Sequence, residues 1–155
     1  MTIDTANSSF ITTLSSGIGQ AGDISLSATD RITLIDSFVN SDTFPSPTTT
    51  KAGDGGFIHL HAPMIDLQST LLGAMTSGDG NAGNLLLETQ QLNIRASDFG
   101  RAINTGSELK VQTQGSGNAG TITIRGLGGE SSSADVATIT DASRLSSRTS
   151  DTGNA

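Results

Sequence analysis

The chain of 155 residues contains no cysteine, tryptophan or tyrosine, only three prolines, and only five aromatic residues, all of them Phe. Without Cys there is no disulfide framework, no thiolate zinc site and no cysteine nucleophile. Cationic residues are also scarce: eight Lys and Arg stand against fifteen Asp and Glu, for a net charge of −7. Phosphate contacts are made by Lys and Arg, so this balance argues against a nucleic-acid or anionic-membrane surface. No apolar run approaches the roughly 18 residues of a membrane-spanning helix, which argues against membrane insertion. The opening Met1-Thr2-Ile3-Asp4-Thr5 has neither the basic nor the apolar region of a secretion signal. Low Ala, Leu, Glu and Lys content disfavours a helical bundle. What the chain does have is small and polar. It holds 19 Gly, 21 Ser, 21 Thr and 8 Asn, together 45 % of its residues. The length suits one domain. Such a composition can build a core only if its apolar residues are arranged periodically.

They are. A phrase of the form Gly-x-Gly-x-Ala-Gly, followed by alternating apolar residues, recurs along the chain. It appears as Gly17-Ile18-Gly19-Gln20-Ala21-Gly22, as Gly78-Asp79-Gly80-Asn81-Ala82-Gly83 and as Gly115-Ser116-Gly117-Asn118-Ala119-Gly120, with a degraded copy at Asp54-Gly55-Gly56. Successive spacings along Gly22, Gly56, Gly83 and Gly120 are 34, 27 and 37 residues. Each repeat resolves into three short strands. The first carries Ile24/Leu26, Ile58/Leu60, Leu85/Leu87 and Ile122/Ile124. The second carries Ile32/Leu34, Ile65/Leu67, Leu92/Ile94 and Ala137/Ile139. The third places an apolar residue ten positions before the next repeat's Ala, at Ile11, Leu72, Leu109 and Leu145, with Val39 filling the slot in the irregular repeat. Extra residues fall at strand junctions, in Phe44 to Thr50, Phe99 to Gly106 and Leu127 to Asp135.

Strict alternation turns one face of each strand inward. No repeat can bury that face alone, whereas stacking repeats buries a continuous aliphatic column and pairs every backbone with its neighbours. The pattern therefore predicts an all-β fold, a right-handed parallel β-helix (β-solenoid) with three short strands per rung and about four to five rungs. Residues 1–155 are read as one solenoid segment: a partial rung 1–21, then rungs 22–55, 56–82, 83–119 and 120–155. The segment is expected to be a fragment of a longer repeat array. Glycines are expected at corners that need positive φ or close backbone approach, and Asp at turns, bonded to its own backbone.

The phrase Gly-x-Gly-Asn-Ala-Gly-x-(Ile/Leu)-x-(Ile/Leu), clearest from Gly78 to Ile94 and from Gly115 to Ile124, resembles the repeats of large exported filamentous-haemagglutinin-like proteins of cyanobacterial type. The resemblance spans Ile3 to Ala155. It implies a β-helical shaft of an adhesin delivered by two-partner secretion through an outer-membrane transporter, hence a secreted or cell-surface location. A host-cell, matrix or glycan surface is the implied partner, and no catalytic residues come with the resemblance.

Several motifs compete with a purely structural reading. Gly17-x-Gly19-x-x-Gly22 spells a dinucleotide fingerprint, but that mechanism needs a helix after the third Gly, and here a strand follows. No cofactor is expected. His59 and His61 lie two apart on one strand and point outward together, with Glu88 and then Arg125 stacking beside them. They are the candidate metal ligands, although three donors at most fall short of a closed zinc site, and an ion-paired polar column is the plainer reading. Twelve Asp residues invite calcium, but the calcium β-roll nonapeptide is absent. The second strand's outward row, Thr33, Asp66, Asn93 and Thr138, supplies a single carboxylate. Lys51 and Lys110 are placed near corners without an acidic cluster, so no enzyme is expected. Outward Thr123, Thr138 and Thr140 raise ice binding, yet the row Ser25, His59, Leu86, Thr123 does not repeat its chemistry. The expected function is thus a non-catalytic shaft, with a stand-alone module binding a glycan or ice surface as the alternative. Open strand edges at either end are expected to favour end-to-end self-association.

Overall fold

Alternating aliphatic and small polar residues favour extended backbone, because only a strand puts Ile24 with Leu26, or Leu85 with Leu87, on one face. The computed structural model describes residues 1–5, 8–48 and 51–155. Two residues of the first insertion, Thr49 and Thr50, lie outside the described residues. The strands are β1 (Thr2–Thr5), β2 (Phe10–Ser16), β3 (Ile24–Ser27), β4 (Arg31–Ile35), β5 (Phe38–Phe44), β6 (Ile58–His61), β7 (Met64–Gln68), β8 (Leu71–Thr76), β9 (Leu85–Glu88), β10 (Gln91–Arg95), β11 (Glu108–Thr113), β12 (Ile122–Arg125), β13 (Val136–Ile139) and β14 (Arg144–Thr149). One short helix, α1 (Asp98–Ala102), interrupts the series between β10 and β11.

These strands form three parallel sheets, ordered β1-β4-β7-β10-β13, β2-β5-β8-β11-β14 and β3-β6-β9-β12. Hydrogen-bonded neighbours are always three strands apart in sequence. The chain is therefore a parallel β-helix with three strands per rung, as its periodicity predicts. The register matches residue by residue. Ile24, Ile58, Leu85 and Ile122 align in one sheet, and Ile3, Ile32, Ile65, Leu92 and Ala137 in another. Ile11, Val39, Leu72, Leu109 and Leu145 align in the third, so Val39 does fill the irregular slot. In the middle rungs the inward side chains are completely buried, Ile58, Leu60, Leu85, Leu87, Leu92 and Ile94 among them. Each such burial contributes about 1.5–3 kcal/mol relative to exposure. At the last rung the same columns end on half-exposed Ile139 and Leu145.

The recurrent glycines serve close approach far more than positive φ. Gly17 and Gly129 have φ of +93° and +90°. Gly83 and Gly120 instead stack on the preceding rung so tightly that a Cβ would lie 1.8 Å and 1.7 Å from the carbonyl oxygens of Gly56 and Gly83. Left-handed corner positions fall largely to polar residues: Asp36, Ser69, Asn104 and Asp141 have φ between +45° and +56°. Asn and Asp tolerate that region best among non-Gly residues.

The Asn of the repeated phrase has its own purpose. Asp54 Oδ1 accepts from the Asn81 amide at 2.7 Å, Asn81 Oδ1 from the Asn118 amide at 2.9 Å, and Asn118 Oδ1 from the Asn154 amide at 3.0 Å. Asp23 likewise accepts from the Phe57 amide at 2.8 Å. The expectation that such Asp residues bond to their own backbone is thus corrected for Asp23 and Asp54, which link consecutive rungs. Buried hydroxyls do similar work at the corners. Thr43 and Thr76 donate to the Gly53 carbonyl, and Ser107 Oγ accepts from the Thr70 amide. Buried polar groups need such partners, since an unmade hydrogen bond costs about 1–3 kcal/mol.

Candidate functional site

The stacking brings the three candidate metal ligands together. His59 and His61 alternate on β6, so both imidazoles leave the same face, and register places Glu88 of β9 opposite His61. His59 Nε2 lies 2.7 Å and His61 Nδ1 3.2 Å from one oxygen, Glu88 Oε2. The other carboxylate oxygen accepts from Arg125 Nε at 2.9 Å, one rung further on. Burial pushes the Glu88 carboxyl up, but the bonds to His59, His61 and Arg125 more than reverse this and hold it below its ordinary value. Phe57 flanks the group, its ring centroid 6.0 Å from that of His59. The cluster can accept a cation or, without one, serve as a hydrogen-bonded ion pair.

Other acidic residues also pair across rungs. Asp66 of β7 receives Arg95 of β10, with Nη2 to Oδ2 at 3.0 Å, and Glu108 of β11 receives both Nε and Nη2 of Arg144 at 3.0 Å. Asp66 is therefore neutralised by an arginine on the neighbouring strand, and its row remains Thr33, Asp66, Asn93, Thr138. Lys110 sits within β11, not at a corner as expected. The alternation of Leu109 and Val111 around it places it on the outward row.

A second feature lies where the first two sheets meet. The insertion Phe99 to Gly106, expected as an irregular corner, begins with a helical turn. Ser97 caps it by accepting from the Gly100 amide at 2.9 Å, Asp98 opens its first turn, and Arg101 reaches Asp141 of the next rung at 2.9 Å. The turn raises Phe99 and Ile103 beside the outward Phe38, forming an open groove of about 520 Å³ edged by Ser8, Asp36 and Thr105. Phe38 in turn stacks on Phe10 of the previous rung, with centroids 5.1 Å apart and planes 6° from parallel. This outward row continues as Phe10, Phe38, Leu71, Glu108 and Arg144. Sequence reasoning examined the inward member of each of these strands and missed the outward residue immediately before it. The adjacent pairs Phe10-Ile11, Phe38-Val39 and Leu71-Leu72 carried that signal.

Asp42 of β5 was also missed. It stands between Leu14 and Met75 in the stack and is almost wholly buried. Its Oδ1 accepts the Met75 amide at 3.0 Å. Burial pushes its carboxyl up to about 6, while the Met75 amide and the charge of Lys110 pull the other way. No family model, curated protein or solved structure matches the chain.

Proposed function

We propose that the chain is a non-catalytic shaft segment of an exported, adhesin-like protein at the cell surface or beyond it. The observation that carries this reading is the contrast between inside and outside. Inward columns, glycine stacks and the Asp54–Asn81–Asn118–Asn154 ladder keep one register through successive rungs. The outward row Ser25, His59, Leu86, Thr123 changes chemistry at each step. A molecule built to project needs the first property and not the second. Asp66, Glu88 and Glu108 are each matched with an arginine of the next rung, which adds axial stiffness more than it creates a reactive centre. The resemblance to filamentous-haemagglutinin-like repeats supports export through an outer-membrane transporter.

A second reading, a glycan-binding module, is favoured by the corner groove. Flat Phe38 and Phe99 surfaces edged by Ser8, Asp36 and Thr105 offer the mixture of apolar face and polar rim that a sugar ring presents in return. The ice alternative finds no comparable support in the non-repeating outward rows. The deciding experiment is to sequence the coding region on both sides. Further Gly-Asn-Ala-Gly rungs with an upstream secretion domain are the expected result. Flanks without either would overturn the shaft reading, and titration of Phe38→Ala against an array of glycans would then test the module.

A further inference from the structure

We propose that His59, His61 and Glu88 form a binding site for a divalent transition-metal ion of the zinc type on the outward face of the third sheet. The inference goes beyond the shaft reading and does not depend on it. Three side chains from two consecutive rungs converge on one point: both imidazole nitrogens approach Glu88 Oε2, at 2.7 and 3.2 Å, and the three ligand atoms lie within 4.8 Å of one another. Zinc bonds imidazole nitrogen at about 2.0–2.1 Å and carboxylate oxygen at about 2.0–2.2 Å, so tetrahedral ligand atoms sit roughly 3.3 Å apart; the two histidine–carboxylate separations approach that from below, at 2.7 and 3.2 Å, and no pair exceeds 4.8 Å. Admitting the ion means opening both hydrogen bonds and presenting these nitrogens as lone-pair donors, with the ring proton carried on the other imidazole nitrogen.

The donor set selects the metal. Two neutral imidazoles and one carboxylate suit zinc and its first-row neighbours, whereas calcium and magnesium take oxygen ligands. Glu88 enters the site already aimed, because Arg125 holds Oε1 and leaves Oε2 facing the histidines. Orientation of a ligating carboxylate by an outer hydrogen bond is how such sites are commonly tuned. The arginine's charge works against the cation, so moderate affinity is expected. Half-exposure of the histidines leaves a fourth coordination position open to water or to a donor from outside. Bound there, the ion would bridge β6 to β9 and hence one rung to the next.

The test uses the 155-residue chain without a histidine tag, stripped with a chelator and titrated with zinc chloride by calorimetry at pH 7.5. One ion per chain is expected, with Kd below about 10 µM, or roughly 7 kcal/mol of binding free energy. Each of His59→Gln, His61→Gln and Glu88→Gln should weaken binding at least tenfold while circular dichroism stays unchanged. Asp66→Asn on the neighbouring sheet should bind as the wild type does. Absence of saturable binding at pH 7.5, or equal binding by a folded His59→Gln/His61→Gln double variant, would overturn the proposal.

Discussion

Replacing Asp42 by Asn should stabilise the protein above about pH 6 and leave it nearly unchanged near pH 4, following the raised carboxyl of this residue. Burial lifts that carboxyl from its ordinary 3.8 to about 6. Between those values the folded chain holds a proton that the unfolded chain has released. Stability therefore falls as pH rises through this window and levels off above it. A shift of this size corresponds to about 3 kcal/mol at 1.36 kcal/mol per pH unit. Water access and side-chain relaxation beside an outward strand position reduce the expected effect to about 1–2 kcal/mol. Asn preserves the shape and keeps an oxygen for the Met75 amide, which now donates to Asp42 at 3.0 Å. Urea denaturation of both proteins at half-unit steps from pH 4 to 8 gives the difference directly, with contributions from all other groups cancelling. The gain of the variant should grow from near zero to its plateau with a midpoint near pH 5, midway between the ordinary 3.8 and about 6, as linkage requires. A difference independent of pH, or a variant less stable at pH 8 than at pH 4 relative to the wild type, would refute the reasoning.

Three further outcomes are expected. Leu87→Asp should unfold the chain, because Leu87 is completely buried in the aliphatic column and an unpaired charge there lacks any compensating partner; a wild-type thermal melt would contradict the register. Gly83→Ala should cost several-fold more stability than Gly73→Ala, since the first Cβ meets the Gly56 carbonyl at 1.8 Å and the second meets only side chains, Asn40 at 3.1 Å and Met75 at 3.6 Å; equal chemical denaturation midpoints would sink the close-approach account. The open edges of the first and last rungs and the exposed Ile139 and Leu145 should drive concentration-dependent head-to-tail association of this polypeptide. Sedimentation as a monomer throughout the micromolar to millimolar range would count against that expectation.

Much of the fold was legible because a solenoid writes its core in one dimension. Once Gly22, Gly56, Gly83 and Gly120 are aligned, side-chain alternation dictates which residues stack. Pairs such as His61 with Glu88 and Glu88 with Arg125 then follow without knowledge of the third dimension. Rung-to-rung convergence was harder to read. That His59 reaches Glu88, although its register partner is Leu86, depends on rotamers and not on alignment. The corners were opaque for a different reason. Insertions do not obey the period, so the helical turn at Asp98 could be suspected only from Ser97 as a cap, and its pairing through Arg101 with Asp141 not at all. Asp42 carries no such signal, because alternation alone puts it on an outward row and only the stacked structure shows that its neighbours cover it.

The uneven repeat spacing carries an architectural consequence. Intervals of 34, 27 and 37 residues each deliver one rung, and each rung adds the same inter-strand rise of about 4.8 Å. Height is therefore counted in rungs, and surplus residues go entirely into girth. The Phe99 to Gly106 excursion widens the column at one level without displacing anything above or below it. Evolution can then decorate such a column with sideways outgrowths of any size, as branches on a trunk, while the distance it spans stays untouched.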